Sequence, residues 1–175
     1  LPVVDGVTFA TIAAGVRYSG RTDVMLAKLI AGTSIAGVFT KSTTRAAPVL
    51  DCQTKLGGDC TESAAILVNS GNANAFTGKN GQTSVTTICD AVADACDVPV
   101  NRVFTSSTGV IGEPLAHDRI IENLQALNST QSPDDVEAAA HAIMTTDTYA
   151  KGSTQTVQIN GQSVQIVGIA KGSGM

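Results

Sequence analysis

The chain of 175 residues contains no Trp, and aromatic residues make up only 3% of it. Surfaces on which nucleobases stack are therefore poorly supplied. Charge is sparse as well: 11 Lys and Arg stand against 15 Asp and Glu, a formal net charge of −4, with a pI near 5.0. Without a basic run, neither nucleic acid nor an anionic membrane surface is an expected partner. No stretch of about 18 or more consecutive apolar residues occurs, so no membrane-spanning helix is expected. The first five residues lack a basic segment and a long apolar core, and no intact signal peptide is visible. Four cysteines, Cys52, Cys60, Cys89 and Cys96, include no Cys-x-x-Cys pair, and only His117 and His141 are available to join them. Neither a metal nor any other cofactor is expected on that basis.

What is present suffices for a packed core. The hydrophobic fraction is 43% and the mean hydropathy +0.16, values that exclude general disorder. With no internal repeat, low-complexity tract or linker, residues 1–175 read as a single unit. Short apolar or β-branched runs at residues 7–14, 35–40, 64–69 and 102–105 are expected strands. Residues 83–96 form an expected helix in which Val85, Cys89, Val92 and Cys96 share a stripe while Asp90 and Asp94 face away. Those two cysteines are expected to be buried free thiols in a reducing cytosol, which gives a cytoplasmic location. A second helix is expected from Glu113-Pro114 to Asn128-Ser129, its face made by Leu115, Ile120, Ile121, Leu124 and Leu127. A third is expected from a Ser132 N-cap, through Pro133, Asp134 and Asp135, to about Met144. Further on, residues 154–159 and 162–167 alternate polar and apolar around Asn160-Gly161, the signature of a two-residue hairpin turn with positive φ at both positions. The second of these strands continues as a buried run through Ile169-Ala170. Strands and helices alternate, so the fold class is mixed α/β (α+β).

Three segments concentrate small polar residues. Asn69-Ser70-Gly71-Asn72-Ala73-Asn74-Ala75-Phe76-Thr77-Gly78 follows an apolar strand, and a turn held by Asx hydrogen bonds is favoured there over a ligand loop. Thr105-Ser106-Ser107-Thr108-Gly109-Val110-Ile111-Gly112-Glu113-Pro114 lies between a strand and a helix. Its Thr108-Gly109 pair either presents a hydroxyl and a backbone N–H to a developing oxyanion or caps the following helix. Ser107 is a poor nucleophile, since Gly-x-Ser-x-Gly is absent and no His is placed as base. Met144-Thr145-Thr146-Asp147-Thr148 either binds a polar small molecule or caps helix ends. Lys171, wedged between Ala170 and Gly172, meets an anion or marks a frayed strand end. His117 and His141 read as structural.

Taken in order, several motifs resemble a known family. They are Val38-Phe39-Thr40-Lys41 with Ala46-Ala47-Pro48-Val49, then Asn69-Ser70-Gly71-Asn72-Ala73-Asn74-Ala75 and Ser107-Thr108-Gly109-Val110-Ile111-Gly112. Ala142-Ile143-Met144-Thr145-Thr146-Asp147 and Gly168-Ile169-Ala170-Lys171-Gly172-Ser173-Gly174-Met175 complete the set. The family is ornithine acetyltransferase, also called glutamate N-acetyltransferase. The resemblance implies mixed β-sheets packed with helices in a layered sandwich of the DmpA/ornithine-acetyltransferase kind, completed by a separate β chain. It further implies that 1–175 is the α chain of a precursor that cleaves itself before a threonine. That agrees with a sequence that begins at Leu1 without an initiator Met and stops just after an apolar run. The new N-terminal Thr, on the β chain, would be the nucleophile with its own α-amine as base.

By the same resemblance Thr108 and Gly109 form the oxyanion hole, while Thr145 and Lys171 bind substrate. Phe76, at a position where many relatives carry Cys, reads as a packing difference. The implied reaction is ping-pong acetyl transfer from N-acetylornithine to glutamate in arginine biosynthesis, with acetyl-CoA as a further donor in some members. The implied assembly is an α2β2 heterotetramer. Two other classes stay open: an autocleaving amidase or aminopeptidase of similar architecture, in which water is the acceptor, and a non-enzymatic module that binds a small ligand.

Overall fold

The computed structural model describes residues 1–173, so Gly174-Met175 of the last motif lie outside the described residues. A four-stranded sheet has the order β1-β2-β3-β4, and a separate two-stranded ribbon is made by β5 and β6. β1 (Val7–Ile12), β2 (Val24–Leu29) and β3 (Ala64–Asn72) run antiparallel in turn. β3 and β4 (Val103–Val110) are parallel, joined by α2 (Gly78–Cys96) as a β-α-β unit.

Alternation along β2 shows how the core is divided. Val24 and Leu26 enter one cluster with Val85, Ile88 and Val92 of α2 and Leu127. Met25 and Ala27 enter a second cluster on the opposite face with Ala139, Ala142 and Ile143. Because successive strand residues point to opposite faces, a sheet covered on both sides needs apolar residues at consecutive positions. The α2 stripe of Val85, Cys89, Val92 and Cys96 is buried, and Asp90 and Asp94 are exposed, as the periodicity predicts. All four cysteines are free, Cys60 being only half-buried.

Several expectations change. Residues 35–40 form no strand, and Val38 is 99% exposed. β-branched residues favour strands only where a ladder and a packing surface exist, and this segment has no hydrogen-bonded strand partner among the described residues. α1 (Ala47–Lys55), with Pro48 in its first turn, was not expected. It covers the edge strand β4, where Lys55 Nζ donates to Val103 O at 2.9 Å and Cys52 Sγ to Thr105 O at 3.3 Å.

The helix expected from Glu113 is two short ones, α3 (His117–Ile121) and α4 (Leu124–Ser129). Asn123 interrupts it by donating from its side chain to Arg119 O at 2.7 Å, in competition with the backbone ladder. The apolar face survives the break, with Ile120, Leu124 and Leu127 buried. α5 (Val136–Ala142) starts later than expected, because Ser132 exchanges two backbone hydrogen bonds with Phe9 of β1.

β5 (Lys151–Ile159) and β6 (Gln162–Ala170) form the expected hairpin, with positive φ at Asn160 and Gly161. β6 is not buried, however: Ile166 is 51% exposed, and only Ile169 at the ribbon base reaches a core cluster. No helix of the described residues is long and apolar enough to cross a membrane.

Candidate functional site

β3 and β4 both run further than the sequence indicated. The small-residue segments after them begin as strand, with Ser70 opposite Thr108 and Gly71 opposite Gly109. A register irregularity at Gly71/Asn72 then ends the pairing. Small residues are required here by the close approach of the two backbones. A Cβ on Gly109, whose φ is +133°, would fall 2.3 Å from the carbonyl carbon of Gly71. The site thus lies at the carboxyl ends of a parallel strand pair, where open sheets commonly bind ligands.

The Asn-rich turn beyond β3 is a scaffold, in agreement with the Asx reading. Asn72 Oδ1 accepts from Asn74 N at 2.7 Å, and Asn72 Nδ2 donates to Glu113 O at 3.1 Å. Asn74, fully buried, donates to Gly81 O at 3.1 Å and accepts from Thr77 Oγ1 at 2.9 Å. Ser107 Oγ donates to Asn69 Oδ1 at 2.7 Å, so its hydroxyl is engaged in structure. Ser70 Oγ donates to Ala142 O at 2.8 Å and ties the strand end to α5. Phe76 is 68% exposed at φ +57° and does not line the cavity that holds the predicted site residues.

Thr108, Gly109, Thr145 and Lys171 all line one cavity of about 350 Å³. Lys171 Nζ lies 3.1 Å from Thr108 Oγ1 and 3.0 Å from Thr145 Oγ1, donating to both. Three residues from distant parts of the chain are thereby brought within hydrogen-bond reach. Sequence reasoning missed Tyr18 and Arg21, which also line the cavity. Arg21 donates to the carbonyl of Met144 and so braces the segment that carries Thr145. Its loop is held by the buried Asp23, which accepts from Ala14 N at 2.8 Å and Val16 N at 2.6 Å. Arg21 and Lys171 give the cavity two cationic groups, and no carboxylate is among its lining residues. Such a lining favours an anionic ligand.

Asp147 stands just behind. Lys151, followed by the N–H groups of Gly172 and Thr145, holds its carboxyl well below the usual carboxylate range. The histidines lie elsewhere. His117 Nδ1 meets Ser84 Oγ at 3.1 Å and His141 is exposed on α5. Among the described residues no group of three or more His, Cys, Asp or Glu is placed to hold a metal ion.

Residues 8–175 match the model of the ArgJ family. A relative from Ruegeria pomeroyi, named arginine biosynthesis bifunctional protein ArgJ, is 68% identical over the whole of this chain. One of the same name from Bradyrhizobium diazoefficiens is 49% identical. The chain spans 43% and 42% of the length of these two relatives. The crystal structure of the protein so named from Bacillus halodurans superposes with a TM-score of 0.88 at 34% identity, covering 98% of this chain and 88% of that one. Ornithine acetyltransferase from Mycobacterium tuberculosis, crystallised with ornithine, gives 0.85 at 33% identity, covering 98% and 90%. The mixed-sheet architecture is therefore that of solved structures with related sequences, and a family match running from residue 8 to residue 175 shows that this chain belongs to the ArgJ family.

Proposed function

We propose that this chain is the α part of a glutamate N-acetyltransferase that moves the acetyl group of N-acetylornithine to glutamate. One observation carries the reading: the Lys171 ammonium contacts the hydroxyls of Thr108 and Thr145 beside Gly109, in a cavity lined by cations and no carboxylates. An N-terminal Thr on a β chain attacks the acetyl carbonyl, with its α-amine taking the hydroxyl proton. The carbonyl carbon becomes tetrahedral and its oxygen negative. Collapse breaks the C–N bond, ornithine leaves with the proton, and an acetyl ester remains. The amine of glutamate then attacks that ester, giving N-acetylglutamate and the free Thr.

The residues of this chain act on charge and placement. Lys171 donates to Thr108 Oγ1, which fills an acceptor position of that oxygen and leaves its O–H to point at the developing oxyanion. The backbone N–H of Gly109 is the second donor in this reading. Donors fixed before the reaction stabilise the oxyanion without reorganising. Lys171 and Arg21 attract the carboxylate of the substrate, Lys171 as a compact point charge. Acetyl-CoA as a second acetyl donor accords with relatives named bifunctional, and a separate β part with their greater length; an α2β2 assembly in the cytoplasm belongs to the same proposal.

The test uses the full-length protein with N-acetylornithine labelled in its acetyl group. Label recovered in N-acetylglutamate, at a rate above release of free acetate, is expected. Acetate as the dominant product would make the protein a hydrolase. Intact mass under denaturing conditions is expected to reveal a second polypeptide that begins with Thr.

A further inference from the structure

Asp147 carries an enclosed charge beside the site, yet the reaction described above assigns it nothing. Its side chain is 1% exposed, against 28% for its ion-pair partner Lys151. Oδ1 accepts from Lys151 Nζ at 2.8 Å and from Gly172 N at 2.6 Å, and Oδ2 accepts from Thr145 N at 3.1 Å. These contacts join two segments that the β5–β6 ribbon separates along the chain, and they do so behind the direct Lys171 Nζ–Thr145 Oγ1 hydrogen bond of the cavity. One carries Thr145, and the other carries Lys171 immediately before Gly172. The carboxylate sits where the ribbon begins and ends, since Lys151 is opposite Ala170 in the first pair of its ladder. A second and exposed link, Thr146 Oγ1 to Ser173 Oγ at 3.1 Å, runs beside it.

A two-stranded ribbon with most of its surface exposed is only marginally stable by itself, so a further constraint at its base counts. A carboxylate that accepts from two backbone N–H groups and an ammonium supplies that constraint. Charge-assisted hydrogen bonds of this kind are short and strong. Removal of the acceptor leaves N–H groups without a partner, at a cost that favours rearrangement of both segments.

We propose that Asp147 is the positioning residue of this site: it locks the Thr145 segment to the Lys171 segment and thereby fixes the spacing of Thr145 Oγ1 and Lys171 Nζ to which a substrate carboxylate binds. Asp147 touches no substrate, and its effect on affinity passes through Lys171 and Thr145. The kinetic part of this inference rests on the acetyl-transfer reading; the locking of the two segments does not.

Two measurements on the full-length protein decide it. In a double-mutant cycle, Asp147→Asn is expected to raise KM for N-acetylornithine about tenfold, within the range seen for coupled neighbours, with a smaller change in kcat. Adding it to Lys171→Met is expected to change KM by less than about twofold, because the group it positions is already gone. Fold-changes that multiply would overturn the proposal. Hydrogen exchange of peptides covering residues 144–147 and 171–173 is expected to speed up in Asp147→Asn while β3 stays protected. Unchanged exchange in both peptides would overturn it as well. If Asp147→Asn yields no folded protein, Asp147→Glu, which keeps the charge but lengthens the arm by one methylene, enters both experiments with the same readings. A wild-type protein that transfers no acetyl group would sink the reaction, while the exchange result would still decide the role of Asp147.

Discussion

Gly109 faces Gly71 across the parallel β3–β4 pair with no room for a side chain between them. A Cβ built on Gly109 lies 2.3 Å from Gly71 C and 2.6 Å from both Gly71 O and Asn72 N. All three atoms belong to the backbone, so no side-chain rotation relieves the contact.

Gly109→Ala is therefore expected to destabilise the protein by about 3 kcal/mol or more, because overpacking and positive-φ strain add. Thermal unfolding measures it, and a midpoint within a degree of wild type would show that the two strands part freely at this point.

Lys171→Met removes the ammonium shared by Thr108 and Thr145 and leaves a stem of similar length. Loss of a charge-assisted hydrogen bond to a substrate carboxylate corresponds to roughly 1.5–3 kcal/mol. KM for N-acetylornithine is expected to rise by about one to two orders of magnitude. Steady-state kinetics read this directly, and an unchanged KM would make Lys171 a structural lysine.

The fold and the site were legible in the sequence to different depths. β1, β3, β4 and the Asn160-Gly161 hairpin follow from local pattern, since period, turn chemistry and β-branching agree there. β2 did not stand out, because its four-residue apolar run is flanked by Asp23 and Lys28. Its strand state is set by partners on both sides, which no local window contains. Residues 35–40 show the converse, a strand-like composition without a ladder. At the site, Thr108, Gly109, Thr145 and Lys171 were named from motif resemblance, and the fold brings them to one cavity. Arg21 stayed hidden because its place depends on how Asp23 folds a loop back over the strand ends, a tertiary event.

Asp147 also predicts a pH dependence. Its folded-state pKa is depressed, chiefly by Lys151 and then by the Gly172 and Thr145 N–H groups, below an unfolded value of about 3.9. In the window between these values the unfolded chain binds more protons, so stability rises with pH there. The contribution is complete above the unfolded pKa and is lost as pH falls through the folded one. The difference in thermal midpoint between wild type and Asp147→Asn is expected to hold from pH 7 to about 5 and to shrink below about pH 4. A difference independent of pH would show that the charge of Asp147 does not stabilise the fold.

The thiols are expected to be quiet. Burial, only partly opposed by Lys55, pushes Cys89 up to about 11. Burial likewise raises Cys52 and Cys96. All three are protonated at pH 8, and thiols of this kind are inert toward alkylation. Iodoacetamide on the native protein is expected to label no cysteine of this chain other than the half-buried Cys60, and all four after unfolding. Peptide mass spectrometry counts them, and labelling of native Cys89 would show that its enclosure opens readily.

Turnover of Thr108→Ala in the full-length protein tests the central claim most directly. In the proposed reaction the hydroxyl donates where negative charge develops, and losing one such donor costs roughly 2.7–4 kcal/mol of transition-state stabilisation. The prediction is a fall in kcat of about a hundredfold to a thousandfold, with the thermal midpoint close to wild type. A kcat equal to that of wild type would contradict the assignment of Thr108 to the oxyanion, and with it the account of this chain as the half of an acetyltransferase that stabilises the transition state.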